Sequence, residues 1–207
     1  MAKRKPLINQ KSPKDFLAEV ITSLVDISPS NLKKLLDICE SVEYDRNTQI
    51  IREGEISGYV YFVHKGIIRV YYHSTGKELI DWFAEEGTFI GNLYSHIMKK
   101  PGMDIYEAIE DVVLMRARYD DLERLFMENH ELETAARKII QRYYVIYVER
   151  VHHLKGLTAD EKYRSFVKHY GSFVNRIPLK YVADYLGITS ETLSRIRSKE
   201  NKKIKKV

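Results

Sequence analysis

Residues 177–199 read IPLKYVADYLGITSETLSRIRSK, and this stretch indicates two short helices joined by a tight turn. Pro178 suits the first turn of a helix, and apolar residues follow it at helical spacing. Gly187 can supply the turn, because glycine tolerates the left-handed backbone found at helix ends. Thr189 is a good N-cap for the second helix. We therefore predict a helix-turn-helix.

The second predicted helix has two chemically different faces. Leu193 and Ile196 are spaced to point inward, whereas the opposite side carries small polar residues and an arginine. Such a helix fits the major groove of DNA. Arg195 would read a guanine or hold a phosphate, and Glu191 could accept from a cytosine amino group. The predicted DNA-binding residues are Thr189, Ser190, Glu191, Thr192, Ser194, Arg195, Ser198 and Lys199.

The basic charge of the chain is concentrated in the same region. The 207 residues carry a net charge of +5, yet residues 176–207 alone hold nine Lys/Arg against three Asp/Glu. The remainder is therefore close to neutral, which is typical of a phosphate-binding module attached to a separate domain. A solvated basic tail would give the same distribution, so charge alone leaves both interpretations open.

A long helix is predicted directly before this region, ending near Leu154. Its heptad-like seam consists of Leu132, Ala136, Ile139, Tyr143 and Ile146. Such a narrow seam could pack on the chain's own β-domain, but a long helix between two domains more often pairs with a partner helix. We therefore predict that the seam forms a dimer. Thr158 and Glu161 fit a capping box, so residues 155–158 are predicted to be a hinge.

The segment from residue 42 to residue 115 has a different pattern. Short runs of β-branched and aromatic residues alternate with glycines at intervals typical of turns. Many short strands without intervening helices indicate an antiparallel sandwich or barrel. Ser74-Thr75-Gly76-Lys77 is predicted to be a hairpin turn between two of these strands. Before them, helical spacing and the start signal Ser28-Pro29-Ser30 predict two helices.

The composition excludes several classes of protein. With 44% hydrophobic and 30% charged residues, the chain is typical of globular proteins. No apolar run approaches the roughly 18 residues of a membrane span, and no signal-peptide core follows the basic N-terminus. The single cysteine, Cys39, rules out an internal disulfide framework and a multi-cysteine metal site. We expect a cytoplasmic protein with Cys39 in its core.

From about Ser28 to Lys199 the chain resembles the Crp/Fnr family of bacterial transcription regulators. The residues that carry the resemblance are Glu53-Gly54-Glu55, Tyr61-Phe62-Val63, Lys65-Gly66, Glu86-Gly87, Phe89-Ile90-Gly91 and the run from Ile188 to Ile196. The resemblance implies an α+β fold. An N-terminal antiparallel β-roll, a double-stranded β-helix of the cyclic-nucleotide-binding type, precedes a long dimerisation helix and a C-terminal helix-turn-helix.

The domains implied by the resemblance can be placed on the sequence. The sensor domain and its N-terminal helices take residues 1–130, the dimerisation helix residues 131–155, and the DNA-binding domain residues 156–207. The resemblance implies a homodimer on palindromic double-stranded DNA, with RNA polymerase and an unknown small-molecule effector as further partners. Ser190 stands where the family has a base-reading arginine, so we expect a different operator.

The effector pocket departs from the family pattern. Cyclic-AMP-binding members hold the phosphate with a Gly-Glu after the Phe-Ile strand and an Arg-Ser before the next strand. Here the glutamate is replaced, and the Arg-Ser positions fall near a glycine and a methionine. Lys99 and Lys100 are the nearest basic residues, and a gap in the loop could shift the match. The candidate pocket residues are Gly91, Asn92, Leu93, Gly102 and Met103. A buried phosphate without a guanidinium is poorly compensated, so we expect cyclic AMP to bind weakly or not at all.

Haem would need an axial histidine. We interpret the three available residues, His64, His73 and His96, as ordinary surface or loop histidines and do not expect haem. A cupin-type metalloenzyme would need a His-x-His motif, which is absent, and His152-His153 diverge by about 100° on a helix. Neither a Gly-x-Ser-x-Gly motif nor a P-loop is found. We therefore predict no metal, no catalytic residues and no enzyme.

One alternative function is kept. Only residues 200–207 follow the second helix, where the resembled family has a β-hairpin wing. We interpret this segment as an extension of that helix or as a phosphate-contacting tail. Without a wing, the chain could also be a nucleotide- or small-ligand-binding module that acts through protein contacts instead of DNA.

Overall fold

The computed structural model describes residues 11–204, apart from the side chains of residues 154, 172 and 201–204. The chain divides into two compact units, Ile8–Val145 and Ile146–Val207. The side chains of the predicted basic tail after Glu200 lie outside the described residues. Within the described range, no helix is long and apolar enough to cross a membrane.

Two helices open the first unit, as the sequence predicts. Helix α1 spans Pro13–Leu24 and helix α2 spans Pro29–Asp37. Ser28 precedes α2, and its backbone N–H and hydroxyl donate to the Glu131 carboxylate at 2.7 and 2.6 Å. These bonds, together with one from Asn31, lower the pKa of Glu131. The start of α2 is thereby tied to a residue more than 100 positions later in the chain.

Eight antiparallel strands form the β-roll. They are β1 (Glu40–Tyr44), β2 (Gln49–Ile51), β3 (Tyr59–Lys65), β4 (Ile68–Ser74), β5 (Lys77–Ala84), β6 (Phe89–Ile90), β7 (Ile105–Ala108) and β8 (Val112–Arg118). One sheet has the order β1-β8-β3-β6 and the other β2-β7-β4-β5. Val63 and Leu114 from the first sheet and Ile68 and Ala108 from the second are completely buried in one shared core. The predicted antiparallel sandwich is confirmed.

A short helix interrupts the strands and corrects the sequence analysis, which expected none. Helix α3 spans Leu93–Met98, between β6 and β7. Its N-cap is Asn92, whose Oδ1 accepts from the Ser95 backbone N–H at 2.9 Å. The helix has only six residues, which is too short to show a helical period in the sequence. The Asn-x-x-Ser cap was the one local signal for it.

The β-roll ends in two helices. Helix α4 spans Tyr119–Glu128, and helix α5 spans His130–Gly156, with Asn129 in an extended conformation between them. The predicted long helix is therefore present, and it ends two residues beyond the predicted end at Leu154. Its first part belongs to the first unit and its last eleven residues to the second.

The second unit is a small helical bundle. Helix α6 (Ala159–Tyr170) begins with the predicted capping box of Thr158 and Glu161, and Gly171 ends it. A 3₁₀ turn (Gly171–Asn175) leads to α7 (Leu179–Leu186) and α8 (Ser190–Ile204). The buried residues of the bundle are Tyr163, Phe166, Tyr170, Val174, Ile177, Val182, Ala183, Leu186, Leu193 and Ile196.

The predicted hairpin between β4 and β5 generates a stability test. Ser74 pairs with Lys77, and both residues between them have a positive φ, 50° for Thr75 and 76° for Gly76. This geometry is that of a type I′ turn, in which asparagine is favoured and a β-branched residue is strained. We expect Thr75→Asn to raise the free energy of unfolding by roughly 0.5–1 kcal/mol. Urea unfolding of the full chain measures it.

The matched control for the hairpin is Gly76→Ala, which places a Cβ at the second left-handed position. It should lower the free energy of unfolding by about 1 kcal/mol. A Thr75→Asn protein that is less stable than the wild type would contradict the assigned turn geometry.

Candidate nucleic-acid interface and sensor cassette

The turn between α7 and α8 has the geometry that the sequence predicts. Gly187 is left-handed, with φ 65°, and closes α7 by donating to the Asp184 carbonyl at 3.1 Å. The Thr189 hydroxyl accepts from the Thr192 backbone N–H at 3.2 Å and caps α8. Pro178 is one residue earlier than predicted, immediately before the first residue of α7. The two helices and their turn thus follow from local capping chemistry.

Helix α8 separates an apolar back from a polar front. Leu193 and Ile196 are 1% and 5% exposed and pack into the bundle. Burying each contributes roughly 1.5–3 kcal/mol, which holds the helix in place. Of the predicted DNA-binding residues, Thr192 is half-buried and the other seven are exposed: Thr189, Ser190, Glu191, Ser194, Arg195, Ser198 and Lys199.

The first turn of α8 carries a small polar network. The Arg195 guanidinium donates to the Thr192 hydroxyl at 3.3 Å. The pKa of Glu191 is lowered by a hydrogen bond from its own backbone N–H, by the Thr189 hydroxyl and by the charge of Arg195. Glu191 is therefore an ionised acceptor at neutral pH, next to a fixed cation. An ionised carboxylate can accept from an amino group, as base reading by Glu191 requires.

The later part of α8 is tied to α6. Lys199 lies 3.1 Å from Asp160, and Arg164 lies 3.5 Å from Glu200. Exposed pairs of this kind are each worth about 0–1 kcal/mol, so they orient the end of the helix more than they stabilise it. Lys199, predicted to contact DNA, therefore has an acidic partner within its own unit. No local sequence pattern indicates this pairing.

Two arginines that were not among the predicted site residues line a hollow beside the start of α7. The hollow has a volume of about 310 Å³ and is lined by Val174, Asn175, Arg176, Ile177, Pro178, Leu179 and Arg197. Arg176 also lies over the Phe173 ring. The first N–H groups of α7 have no partner within the helix, which favours an anion at this end. The sequence signal was an arginine immediately before Ile177-Pro178.

One face of α5 packs on the β-roll. Leu132 is buried, and Ile139 packs against the cluster formed by α1 and the first sheet. The Tyr143 hydroxyl accepts from the Phe89 backbone N–H at 2.8 Å. Three residues of the predicted dimer seam therefore lie against the chain's own sensor unit, while Ala136 and Ile146 are half-buried.

A different face of α5 carries exposed apolar residues. Ile140, Tyr144 and Tyr147 are 50%, 67% and 56% exposed, and their spacing of four and three residues places them in one line. We call these three residues the α5 stripe. At about 100° per residue, the stripe is turned roughly a quarter of a circle from the face of Ile139 and Tyr143.

The predicted effector-pocket residues lie in two groups. Asn92 is only 2% exposed and lies directly against Gly102, so the two segments predicted to form the pocket meet. Gly91 packs beneath the Tyr119 hydroxyl and accepts a hydrogen bond from Tyr106 at 3.2 Å. Leu93 and Met103, by contrast, are 37% and 68% exposed. We call residues 91–93 and 102–103 the cassette.

The positions of two histidines correct their interpretation as surface or loop residues. His64 and His96 are 9% and 7% exposed, so neither is a surface residue. His64 lies edge-on to Phe16, its Nδ1 has no partner, and burial lowers its pKa. His96 stacks on Tyr119 at 3.9 Å and bonds Glu123 at 2.7 Å, while His73 meets Glu53 at 3.0 Å. Among the described residues, no three His, Cys, Asp or Glu side chains converge to hold a metal ion.

Comparison with known proteins agrees with this architecture. Residues 41–129 match the model of the cyclic nucleotide-binding domain family. Solved structures with a similar fold include FixK2 from Bradyrhizobium japonicum, which is 22% identical, covers 80% of this chain and 86% of its own, and has a TM-score of 0.69. The c-di-GMP-responsive global regulator CLP of Xanthomonas campestris is 16% identical over 85% and 93% of the two chains, with a TM-score of 0.64.

A CooA mutant from Carboxydothermus hydrogenoformans gives a further match, 16% identical over 90% and 84% of the two chains, with a TM-score of 0.64. All three are Crp/Fnr regulators. The chain has the Crp/Fnr fold. No curated protein sequence matches it significantly.

The Crp/Fnr fold confirms the predicted α+β class with an antiparallel, cyclic-nucleotide-binding-like roll. The match to the cyclic nucleotide-binding domain ends at residue 129, immediately before α5 begins at His130. Helix α5 and the C-terminal helices therefore lie outside it. The cassette lies inside it, so whether a cyclic nucleotide fits must be judged from the geometry of the cassette itself.

Proposed function

We propose that this chain is a non-catalytic, homodimeric transcription regulator that binds palindromic DNA with α8. The observation that carries the proposal is the front of α8, where ionised Glu191 and Arg195 stand exposed opposite buried Leu193 and Ile196. A capped helix with a fixed apolar back and a front of short polar groups can enter the major groove without burying an unpaired charge. The fold of known Crp/Fnr regulators supports it.

The pairing face of the dimer is proposed to be the α5 stripe. The predicted seam is largely occupied by the chain's own β-roll, whereas the stripe leaves half or more of three large side chains exposed. An aligned row of exposed tyrosine and isoleucine on a long helix is typical of a face that a second helix covers. Two paired α5 helices would present two copies of α8 to half-sites about 34 Å apart.

The β-roll is proposed to be the regulatory part of this assembly, and its state is proposed to reach the helical bundle through the predicted hinge. Residues 155 and 156 of that predicted hinge belong to α5. Helix α5 ends at Gly156 and α6 begins at Ala159, so Leu157 and Thr158 are the only residues between the two helices. A short non-helical connection of this kind can absorb a rotation of the following bundle. RNA polymerase remains a further proposed partner.

Base reading by Arg195 can be tested with duplexes selected from a random pool by the purified protein. Arg195→Ala should weaken binding to the selected duplex by about 10- to 100-fold and relax selectivity at one base pair per half-site, because a bidentate contact is worth about 1–3 kcal/mol. Fluorescence anisotropy measures both effects.

The control is Arg46→Ala, which removes an exposed arginine of the sensor unit and changes the net charge equally. It should bind DNA as the wild type does. Failure of the full-length protein to select any sequence would contradict the proposed function and favour a module that acts through protein contacts.

The hollow beside α7 gives a second DNA test with a different signature. Arg176→Ala and Arg197→Ala should each weaken binding to all duplexes about equally, because phosphate contacts carry no sequence information. Each should also reduce the slope of log affinity against log salt by about one. A loss of affinity confined to the selected sequence would show that these arginines read bases instead.

The proposed dimer face can be tested by measuring the mass of the protein in solution. Tyr144→Glu places a charge in the middle of the α5 stripe and should shift the protein from twice its 24.3 kDa mass toward the monomer in light scattering. The matched control is Lys138→Glu, an exposed position of α5 away from the stripe, which should leave the dimer intact. A Tyr144→Glu protein that keeps the mass of a dimer would contradict the assigned face.

A further inference from the structure

The two segments of the cassette meet at Asn92 and Gly102. Gly102 stands near the place where cyclic-AMP-binding relatives carry an arginine, so a side chain is what the resemblance leads one to expect. A Cβ built on Gly102 would fall 1.9 Å from Nδ2 of Asn92 and 2.8 Å from its Cγ. The Asn92 carboxamide therefore already fills the space into which any side chain at residue 102 would project.

The Asn92 carboxamide cannot easily move aside. Its Oδ1 accepts from the Ser95 backbone N–H at 2.9 Å and so caps α3. Its Nδ2 is buried and without a hydrogen-bond partner. Turning the side chain away from Gly102 would break the cap and open α3 at its first turn. The contact is thus held from the Asn92 side by a hydrogen bond.

The Gly102 side of the contact is held as well. The Gly102 carbonyl accepts from the Gly54 N–H at 2.9 Å, and the Gly102 N–H donates to the Glu55 carbonyl at 3.2 Å. Ser95 reaches the same loop, since its hydroxyl accepts from the Ser57 N–H at 3.2 Å. Three segments of the chain, around residues 54–57, 92–95 and 102, therefore close on one another through main-chain and hydroxyl bonds.

The electrostatics near this junction disfavour an anion. Asp104 follows Gly102 by two residues, and burial together with the Asp81 carboxylate raises the pKa of Asp104. The pKa of Tyr106, whose hydroxyl meets the Gly91 carbonyl, is raised first by burial and then by the charges of Asp104 and Asp81 among others. A phosphate needs cationic or multiple N–H donors, whereas Asp104 and Asp81 are carboxylates and the nearest lysines in sequence, Lys99 and Lys100, are exposed.

We infer that the cassette is a closed internal joint of the β-roll, in which the Gly102 loop is packed on Asn92, and that it does not take a cyclic nucleotide. The ligand that the fold family implies therefore does not fit these residues. The buried Nδ2 of Asn92 is one neutral donor, whereas a cyclic phosphate would need its charge compensated in a space that the chain itself occupies. This inference concerns the sensor unit alone and stands whether or not α8 binds DNA.

The first test is ligand binding to the full-length protein. Calorimetry with cyclic AMP and with cyclic GMP, each at up to about 1 mM, should show no saturable heat at either nucleotide. Saturable binding of either nucleotide within this concentration range would overturn the inference. DNA binding by the same preparation, measured separately, keeps this result distinct from the fate of the proposed function.

The second test measures the contact directly. Gly102→Ala should lower the thermal midpoint of the β-roll by roughly 2–4 °C or more, because its methyl group forces Asn92 off its cap. Asn92→Ala removes the carboxamide, so adding Gly102→Ala to it should cause little further loss. The control is Gly58→Ala, where an added Cβ meets nothing within 4 Å and the midpoint should not change.

The calorimetry uses the wild-type chain, so it tests the inference even if a variant of Gly102 or Asn92 fails to fold. A Gly102→Ala protein as stable as Gly58→Ala would overturn the inference, since an open pocket accepts a methyl group without cost. Equal losses from Gly102→Ala with and without the Asn92 carboxamide would overturn it as well.

Discussion

The packing of α5 on the β-roll determines which face of this helix remains exposed for contact with a second copy of the chain. Ile139 lies in the cluster beneath α1, and the Tyr143 hydroxyl bonds the Phe89 main chain just before the cassette. A hydrogen bond of this kind contributes only about 0.5–1.5 kcal/mol, whereas the buried apolar side chains of the same face each contribute more. Among the described residues of α5, the exposed large apolar side chains left for a second copy are those of the α5 stripe and Val145, of which only the stripe forms a line along the helix.

This packing also explains where sequence reasoning reached its limit. A heptad-like spacing shows that a helix has an apolar side, but it does not show which neighbour covers that side. Leu132, Ile139 and Tyr143 satisfy the pattern equally well whether the neighbour is a sheet or a second helix. The stripe was not predicted, because the heptad-like seam beside it has a more regular apolar spacing than Ile140 and Tyr144 have.

The parts that could be predicted are those fixed by neighbours in sequence. The Thr75-Gly76 turn and the Thr158 capping box depend on backbone geometry within four residues, and both are present as predicted. The pairing of Lys199 with Asp160 joins residues 39 positions apart, and no local rule specifies it. The buried positions of His64 and His96 were missed for the same reason, since each is covered by an element distant in sequence.

The closed cassette does not disconnect the β-roll from the helices that follow it. His96, in the helix that Asn92 caps, stacks on Tyr119 and bonds Glu123, and both partners belong to α4. The Tyr119 hydroxyl in turn leaves no room for a side chain at Gly91. In a cyclic-nucleotide sensor, ligand contacts would bias how the cassette meets these helices. Here side chains of the chain itself make the contacts, so any signal must act by changing them, and not by filling a phosphate site.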